Sequence, residues 1–223
     1  MKSQGVRRPR PRWGNLRRTT PFDKRKMLDR GTSIDCYYIE RFLSTHRDDI
    51  RGTVLESGSP RLAMRLGRTQ VSECRFLDVN PDNWDADVVA DLSEPDSLPH
   101  ERFDCVLLTR VLQGIDDLST ALSNADRTLS PGGVLLASMP AIGEIGSGVG
   151  TDRDLWRFTP AGVTALLPQG FRVEELEVAS LGNMLTAIAF LLGLAAEELR
   201  DEELEYADPR FPLVVCVRAR KRR

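Results

Sequence analysis

Between residues 50 and 140, short β-type runs alternate with helix-type stretches, and this alternation limits the fold more than any other feature of the chain. The first run, 52–56 (Gly-Thr-Val-Leu-Glu), stops at Ser57-Gly58-Ser59-Pro60. The second, 75–79, ends at Asn80-Pro81, and the third, 87–90, is followed by Asp91. The fourth, 103–108, ends at Thr109. Over 118–129, Leu118, Ala121, Leu122, Ala125 and Leu129 fall on one face of a helix. Pro131-Gly132-Gly133 stops that helix, and 134–137 reads as a fifth strand. Near-continuous apolar strands separated by helical stretches predict a parallel sheet covered on both faces.

Beyond residue 140 the pattern changes. Gly143, Gly146, Gly148 and Gly150 make 141–150 a mobile loop by expectation. Thr159 suits an N-cap and Pro160 the first helical position, where no amide donor is needed. Residues 171–178 alternate apolar and polar, as a strand with one wet face does. A strongly apolar helix is expected over 184–199, with about 13 mostly apolar residues before Glu197-Glu198. A bilayer span needs roughly 20, so no membrane partner is expected. The helix reads as core or as a subunit contact, the basis for expecting a homodimer. The final strand is 213–217.

The 223 residues, 41% hydrophobic and 29% charged, suit one soluble α/β domain. Lys+Arg 31 against Asp+Glu 33 gives a net charge of −2, which excludes a polyanion binder as the identity of the whole chain. The charge is uneven, with seven basic residues and no acid in the first 20. No apolar stretch there resembles a secretory signal, and Pro9, Pro11 and Gly14 oppose a transit-peptide helix. The expected organisation is a disordered basic tail over 1–20, a single domain over 21–218 and a basic C-terminal tail over 219–223. Cys36, Cys74, Cys105 and Cys216 form no C-x-x-C pair and read as reduced thiols of a cytoplasmic protein. With only His46 and His100, far apart in sequence, no metal centre is expected.

Ligands of an open parallel sheet bind beyond the carboxyl ends of the strands, where strand order reverses. That rule nominates Glu56, Ser57 and Gly58; Asp78, Val79 and Asn80; Asp91 and Leu92; and Thr109, Arg110 and Gln113. An acid after the second strand can accept both hydroxyls of a ribose. Asp91 can accept from an adenine amino group, Leu92 can flank the ring, and Gly58 lets the backbone approach a ligand. Plainer roles are also open. Glu56 and Asp78 can cap the following helices, Asp91 can cap a helical turn, and Trp156 and Arg157 can pack and pair beneath a loop. Neither G-x-G-x-x-G nor G-x-x-x-x-G-K-[ST] is present, so a dinucleotide pyrophosphate or nucleoside triphosphate has poor anchoring.

Residues 30–43, 54–58, 77–81, 90–92, 103–113, 129–136 and 156–160, taken in order, resemble the class I S-adenosylmethionine-dependent methyltransferases, and more closely their small methyltransferase-type-11 branch. The resemblance covers roughly 28–220. It implies a doubly wound, mostly parallel seven-stranded sheet whose last strand is antiparallel, and S-adenosyl-L-methionine as cofactor. Glu56, Ser57 and Gly58 would border its methionine portion, Asp78 and Val79 its ribose, and Asp91 and Leu92 its adenine. Thr109 and Arg110 would lie below the sulfonium, and the segment from Arg30 to Tyr38, with Gly31, would close over the cofactor. One departure stands out. The family's turn is Glu-x-Gly-x-Gly-x-Gly, whereas this chain has Glu56-Ser-Gly-Ser-Pro-Arg-Leu and keeps only Gly58.

The expected reaction is methyl transfer to an oxygen or nitrogen of a small polar molecule: a sugar, a glycan precursor or a natural-product intermediate. A sulfonium is already a strong electrophile, so the protein mainly supplies alignment. A hydroxyl acceptor also needs a base, for which Asp152, Asp154 and Glu144 are candidates. The acceptor pocket is expected between 141–154, Trp156 and Arg157 on one side and Tyr37, Tyr38 and Gln113 on the other. Trp156 offers a flat apolar face, and Arg157 a forked donor for a carboxylate or phosphate. A non-catalytic fold serving as a partner subunit is the alternative, supported by the lost glycines and the apolar 184–196. Nucleic acid ranks last as an acceptor, because only the basic tails favour it and no D/N-P-P-Y/W motif is present.

Overall fold

The computed structural model describes residues 14–23, 30–58, 61–146 and 152–223. Seven strands form one sheet: β1 (Gly52–Ser57), β2 (Val71–Asp78), β3 (Val88–Val89), β4 (Phe103–Thr109), β5 (Leu129–Pro140), β6 (Val173–Leu181) and β7 (Val214–Lys221). Their order is β3-β2-β1-β4-β5-β7-β6. The pairs from β3 to β5 are parallel, while β7 runs antiparallel to both β5 and β6. The expected doubly wound, seven-stranded sheet with an antiparallel last strand is the observed one.

Side chains alternate across β4 and β5, so each face has its own core. On one face Val106, Leu108, Leu135 and Ala137 meet Ala121, Leu122 and Ala125 of helix α3 (Leu118–Thr128). On the other, Cys105, Leu107, Val134 and Leu136 meet Ile34, Tyr38, Ile39, Phe42 and Leu43 of helix α1 (Ile34–Thr45), named α1 for its place in the chain. Each fully buried Leu, Ile or Phe contributes about 1.5–3 kcal/mol, so both helices are held by their apolar faces. The helix starts follow local chemistry. Asp117 accepts from the Thr120 amide at 3.0 Å to open α3. Thr159 accepts from the Gly162 amide at 3.0 Å to open α4 (Pro160–Leu166), with Pro160 at its first turn as expected. Helix α2 (Leu62–Gly67) is short and follows β1.

Several expectations need correction. The apolar segment from 184 is helical only as α5 (Met184–Leu191), not to 199. Gly193, at φ +74, breaks it, and an added Cβ there would meet Asp23 and Pro21 at 3.1 and 3.2 Å. The chain then makes a 3-10 turn, Ala196–Glu198, and a short helix α6 (Asp201–Glu205). β5 starts at Leu129 rather than 134 and carries Pro131-Gly132-Gly133 within it. Gly132 takes φ +77, and the register with β4 slips between Phe103 and Cys105.

The basic C-terminus is largely strand, not tail. Arg218 binds Asp49 at 2.7 Å and Glu175 at 2.9 Å, and Lys221 is buried with its ammonium donating to the Leu129 carbonyl. At the other end, the basic-tail expectation for residues 1–13 lies outside the described residues. Residues 14–20 are described, and Arg18 sits 3.7 Å over the Phe22 ring. Phe22 donates its amide to the Leu192 carbonyl at 2.7 Å, which ties this segment to the end of α5.

Candidate cofactor and acceptor site

Strand order reverses between β1 and β4, so the crevice beyond their carboxyl ends is the ligand position of this topology. There the β1 turn crosses β4 at close range. Gly58 has φ +95, and a Cβ on it would lie 1.9 Å from the Thr109 carbonyl oxygen, so only glycine fits. The Thr109 hydroxyl donates to the Ser57 carbonyl at 3.2 Å. Arg110 follows in the left-handed region at φ +55, donates its amide to Ser138 at 3.0 Å and reaches Asp35 of α1 at 3.2 Å. Asp35 also accepts from Ser33 and from the Cys36 amide.

Beside this junction lies a cleft of about 370 Å³ lined by Cys36, Ile39, Glu40, Arg61, Leu62, Arg65, Thr109 and Arg110. Burial pushes the Cys36 thiol up to about 11, so it stays protonated at neutral pH. Of this lining, the sequence nominated Thr109 and Arg110 as strand-end residues, Cys36 within the segment 30–38, and Arg61 as part of the turn that departs from the family's glycines. Ile39, Glu40, Leu62 and Arg65 join the cleft only through the placement of α1 and α2.

Glu56 takes its plainer role. Its buried carboxylate accepts from the amides of Arg61 and Ala63, the latter at 2.7 Å, and so fixes the start of α2. Asp78, at the end of β2, accepts from the Asn80 amide at 2.9 Å and the Asn83 side chain at 2.6 Å. Val79 beside it is exposed. Asp91 accepts from the amide and hydroxyl of Ser93, and these bonds hold its carboxyl below the usual range. Leu92 departs from expectation. Its side chain packs into the core instead of offering a face to a ring.

The loop after β5 returns over β4. Leu155 and Trp156 donate their amides to the Gln113 carbonyl at 2.8 and 3.2 Å, and the Trp156 indole donates to the Ile115 carbonyl at 2.7 Å. Gln113 is buried, with its side-chain amide on the Arg110 carbonyl at 2.6 Å and its Oε1 without a partner. Within the loop, Arg157 grips both oxygens of Asp154, at 2.6 and 2.9 Å, and reaches the Glu144 carbonyl at 3.0 Å. Asp154 also accepts from the Gly146 amide at 2.7 Å. This corrects two expectations. Arg157 holds Asp154 in its ionised form, below the usual carboxylate range, so Asp154 is a poor base, and the Arg157 fork is spent on the loop itself. The side chains of Asp152 and Glu144 are exposed. Part of the expected mobile loop, 147–151, lies outside the described residues.

On the N-terminal side, Tyr38 is core, with its hydroxyl on the Leu204 carbonyl at 2.8 Å, and is not a pocket wall. Tyr37 is half-buried and accepts from Arg41 at 3.1 Å. Gly31 lies against Glu197, whose carboxylate accepts from the Thr32 amide and hydroxyl, so this segment is fastened to 195–198.

A family model described as a methyltransferase domain matches residues 60–137. No curated protein matches the chain in a sequence search. Among solved structures, the chain is similar to a SAM-dependent methyltransferase from Archaeoglobus fulgidus, at 17% identity and TM-score 0.54, over 83% of this chain and 94% of that one. It is similar to another from Mesorhizobium loti, at 19% identity and TM-score 0.53, over 84% and 98%. A third is the Burkholderia thailandensis 1,6-didemethyltoxoflavin-N1-methyltransferase, solved with S-adenosylhomocysteine, at 18% identity and TM-score 0.51, over 90% and 80%. At these identities the structures speak for the fold, and the family model for a methyltransferase domain over 60–137. The residues fit the cofactor that such a domain uses. Each Asp78 oxygen accepts one bond here and has a lone pair left for a hydroxyl, and the hydrogen bonds to Asp91 fall on Oδ1 alone. The methyltransferase-domain model thus matches residues 60–137 of a chain whose fold is shared with S-adenosylmethionine-dependent methyltransferases of known structure.

Proposed function

We propose that the enzyme methylates an oxygen or nitrogen of a small polar acceptor, in the class of sugars, glycan precursors or natural-product intermediates. The observation that carries this is the attachment of the β5 loop to the segment that follows β4, through the bonds from Leu155 and Trp156 to Gln113 and Ile115. A loop fastened at the carboxyl end of β4, beside the nominated residues, supports a small acceptor over a duplex or a folded protein, because such a loop can help exclude water from the reacting atoms.

The bound cofactor supplies an electrophilic methyl group; the chain supplies the geometry. Ser57, Gly58, Thr109 and Arg110 would frame the methionine end, Asp78 and Val79 the ribose, and Asp91 the adenine. Trp156, exposed beside Gln113, offers the acceptor an apolar ring face. Where the acceptor is a hydroxyl, Asp152 or Glu144 would take its proton, since Asp154 is committed to Arg157. The unpaired cysteines support a cytoplasmic setting. No helix among the described residues is long and apolar enough to cross a membrane. Met184, Leu185, Ile188 and Leu191 leave an exposed apolar face on α5, which supports pairing with a second copy.

The test is methyl transfer from labelled S-adenosylmethionine to a panel of small sugars, amines and phenols, with tRNA and protein as competing acceptors. Label in a small O- or N-nucleophile is the expected result. Label only in macromolecules would overturn the proposal.

A further inference from the structure

The cleft beside the β1–β4 junction holds three guanidinium groups in unequal states. Arg65 is paired with both oxygens of Glu40, at 2.8 and 3.0 Å. Arg110 gives one nitrogen to Asp35 at 3.2 Å. Arg61 lines the same cleft, and among the described residues its guanidinium has neither a hydrogen bond nor an ion pair. The nearest acid in sequence, Glu56, is buried and turned to the backbone amides of Arg61 and Ala63, with no bond to the guanidinium. A planar fork of donors with no acceptor, at the rim of a concave site, suits a carboxylate. The cleft takes in Thr109 and Arg110 at the end of β4, two strands along the sheet from β2, which ends at Asp78, and three from β3, which Asp91 follows. A ligand with its adenosine on those two acids would point its amino-acid end here, and that end carries a carboxylate.

We infer that Arg61, helped by the free nitrogens of Arg110, anchors the carboxylate of the cofactor's amino-acid portion. The turn from Glu56 to Leu62 keeps one glycine, so a side chain takes over part of the ligand anchoring that exposed backbone would give. Arg61 sits at φ +68, a conformation that asparagine also tolerates, which allows the guanidinium to be removed without forcing a new backbone. The inference rests on cofactor binding at this edge of the sheet.

The experiment is calorimetric titration of the full chain and of Arg61→Asn with two ligands. One is S-adenosylhomocysteine; the other is methylthioadenosine, which keeps the nucleoside but lacks the amino-acid carboxylate. Arg61→Asn should weaken S-adenosylhomocysteine about tenfold or more while methylthioadenosine stays within about twofold. Arg61→Lys should restore part of the loss. Equal affinity of wild type and Arg61→Asn for S-adenosylhomocysteine would overturn the inference, and so would an equal loss for both ligands. If Arg61→Asn instead raises only the KM of an anionic acceptor, the carboxylate belongs to the acceptor and the inference is wrong. Failure of the wild type to bind either ligand would count against the cofactor site itself, an outcome distinct from the others.

Discussion

The pair Asp154–Arg157 shows how a plain structural role displaces a chemical one. From sequence, an acid and an arginine in a glycine-rich loop read as a base and a substrate anchor. In the fold each satisfies the other, and Gly146 and the Glu144 carbonyl complete the set. The Asp154 side chain is 2% exposed, so removing either partner strands the other in a poorly solvated place. Asp154→Ala and Arg157→Ala should each cost about 1–3 kcal/mol in denaturant unfolding. The double variant should cost little more than either alone, because the two changes remove one interaction. Additive losses would contradict the pairing. The pH dependence has a definite sign. The fold lowers the Asp154 pKa, so the pair stabilises the loop fully above the unfolded value of about 3.9 and loses that contribution as pH falls through the depressed folded value. Trp156 fluorescence should report that loosening on acid titration. Glu56 shows the same outcome, since of its two sequence readings the cap on α2, through the amides of Arg61 and Ala63, is the one the fold takes.

At the scale of elements, the strands were the legible part. Apolar runs bounded by polar turns marked where β1 to β5 lie, although β2 and β5 start four and five residues earlier than expected, and the Thr159-Pro160 signal placed α4. The errors have physical causes. Apolar composition alone carried α5 eight residues too far, because the chain leaves the helix at Gly193, whose φ is +74 and whose missing Cβ leaves room for Asp23 and Pro21. The basic C-terminus looked solvated, yet β7 continues to Lys221 because Asp49 and Glu175 receive Arg218 and a carbonyl receives the buried ammonium. The apolar face of α1 recurs at Ile34, Tyr38, Phe42 and at Ile39, Leu43, a helical signal that the motif around it overshadowed. The docking of Pro21, Phe22 and Asp23 on the end of α5 has a measurable consequence. A chain starting at Pro21 should bind S-adenosylhomocysteine as well as the full chain. Removal through Asp23 should lower the melting temperature by about 2–4 °C, the shift of roughly 1 kcal/mol for a domain of this size. Equal melting temperatures for the two truncations would contradict the docking.

Over the whole molecule, the sheet order places the carboxyl ends of β1 to β4 on one edge, and the loop after β5 is bonded to Gln113 and Ile115 just beyond β4. The topology was therefore enough to nominate that edge of the sheet. Side-chain commitments within it, such as Leu92 and Tyr38 in the core, needed the folded neighbours. The central claim is that the cofactor lies across this edge with its ribose on Asp78. Calorimetric titration of S-adenosylhomocysteine tests it most directly, with wild type, Asp78→Ala and Asn83→Ala compared; the last removes the loop contact to Asp78 but keeps the carboxylate. The wild type should bind in the micromolar range, about −8 kcal/mol. Asp78→Ala should lose about 1–3 kcal/mol, and Asn83→Ala should stay close to wild type. No binding by the wild type at millimolar ligand, or an Asp78→Ala affinity equal to that of the wild type, would contradict the account.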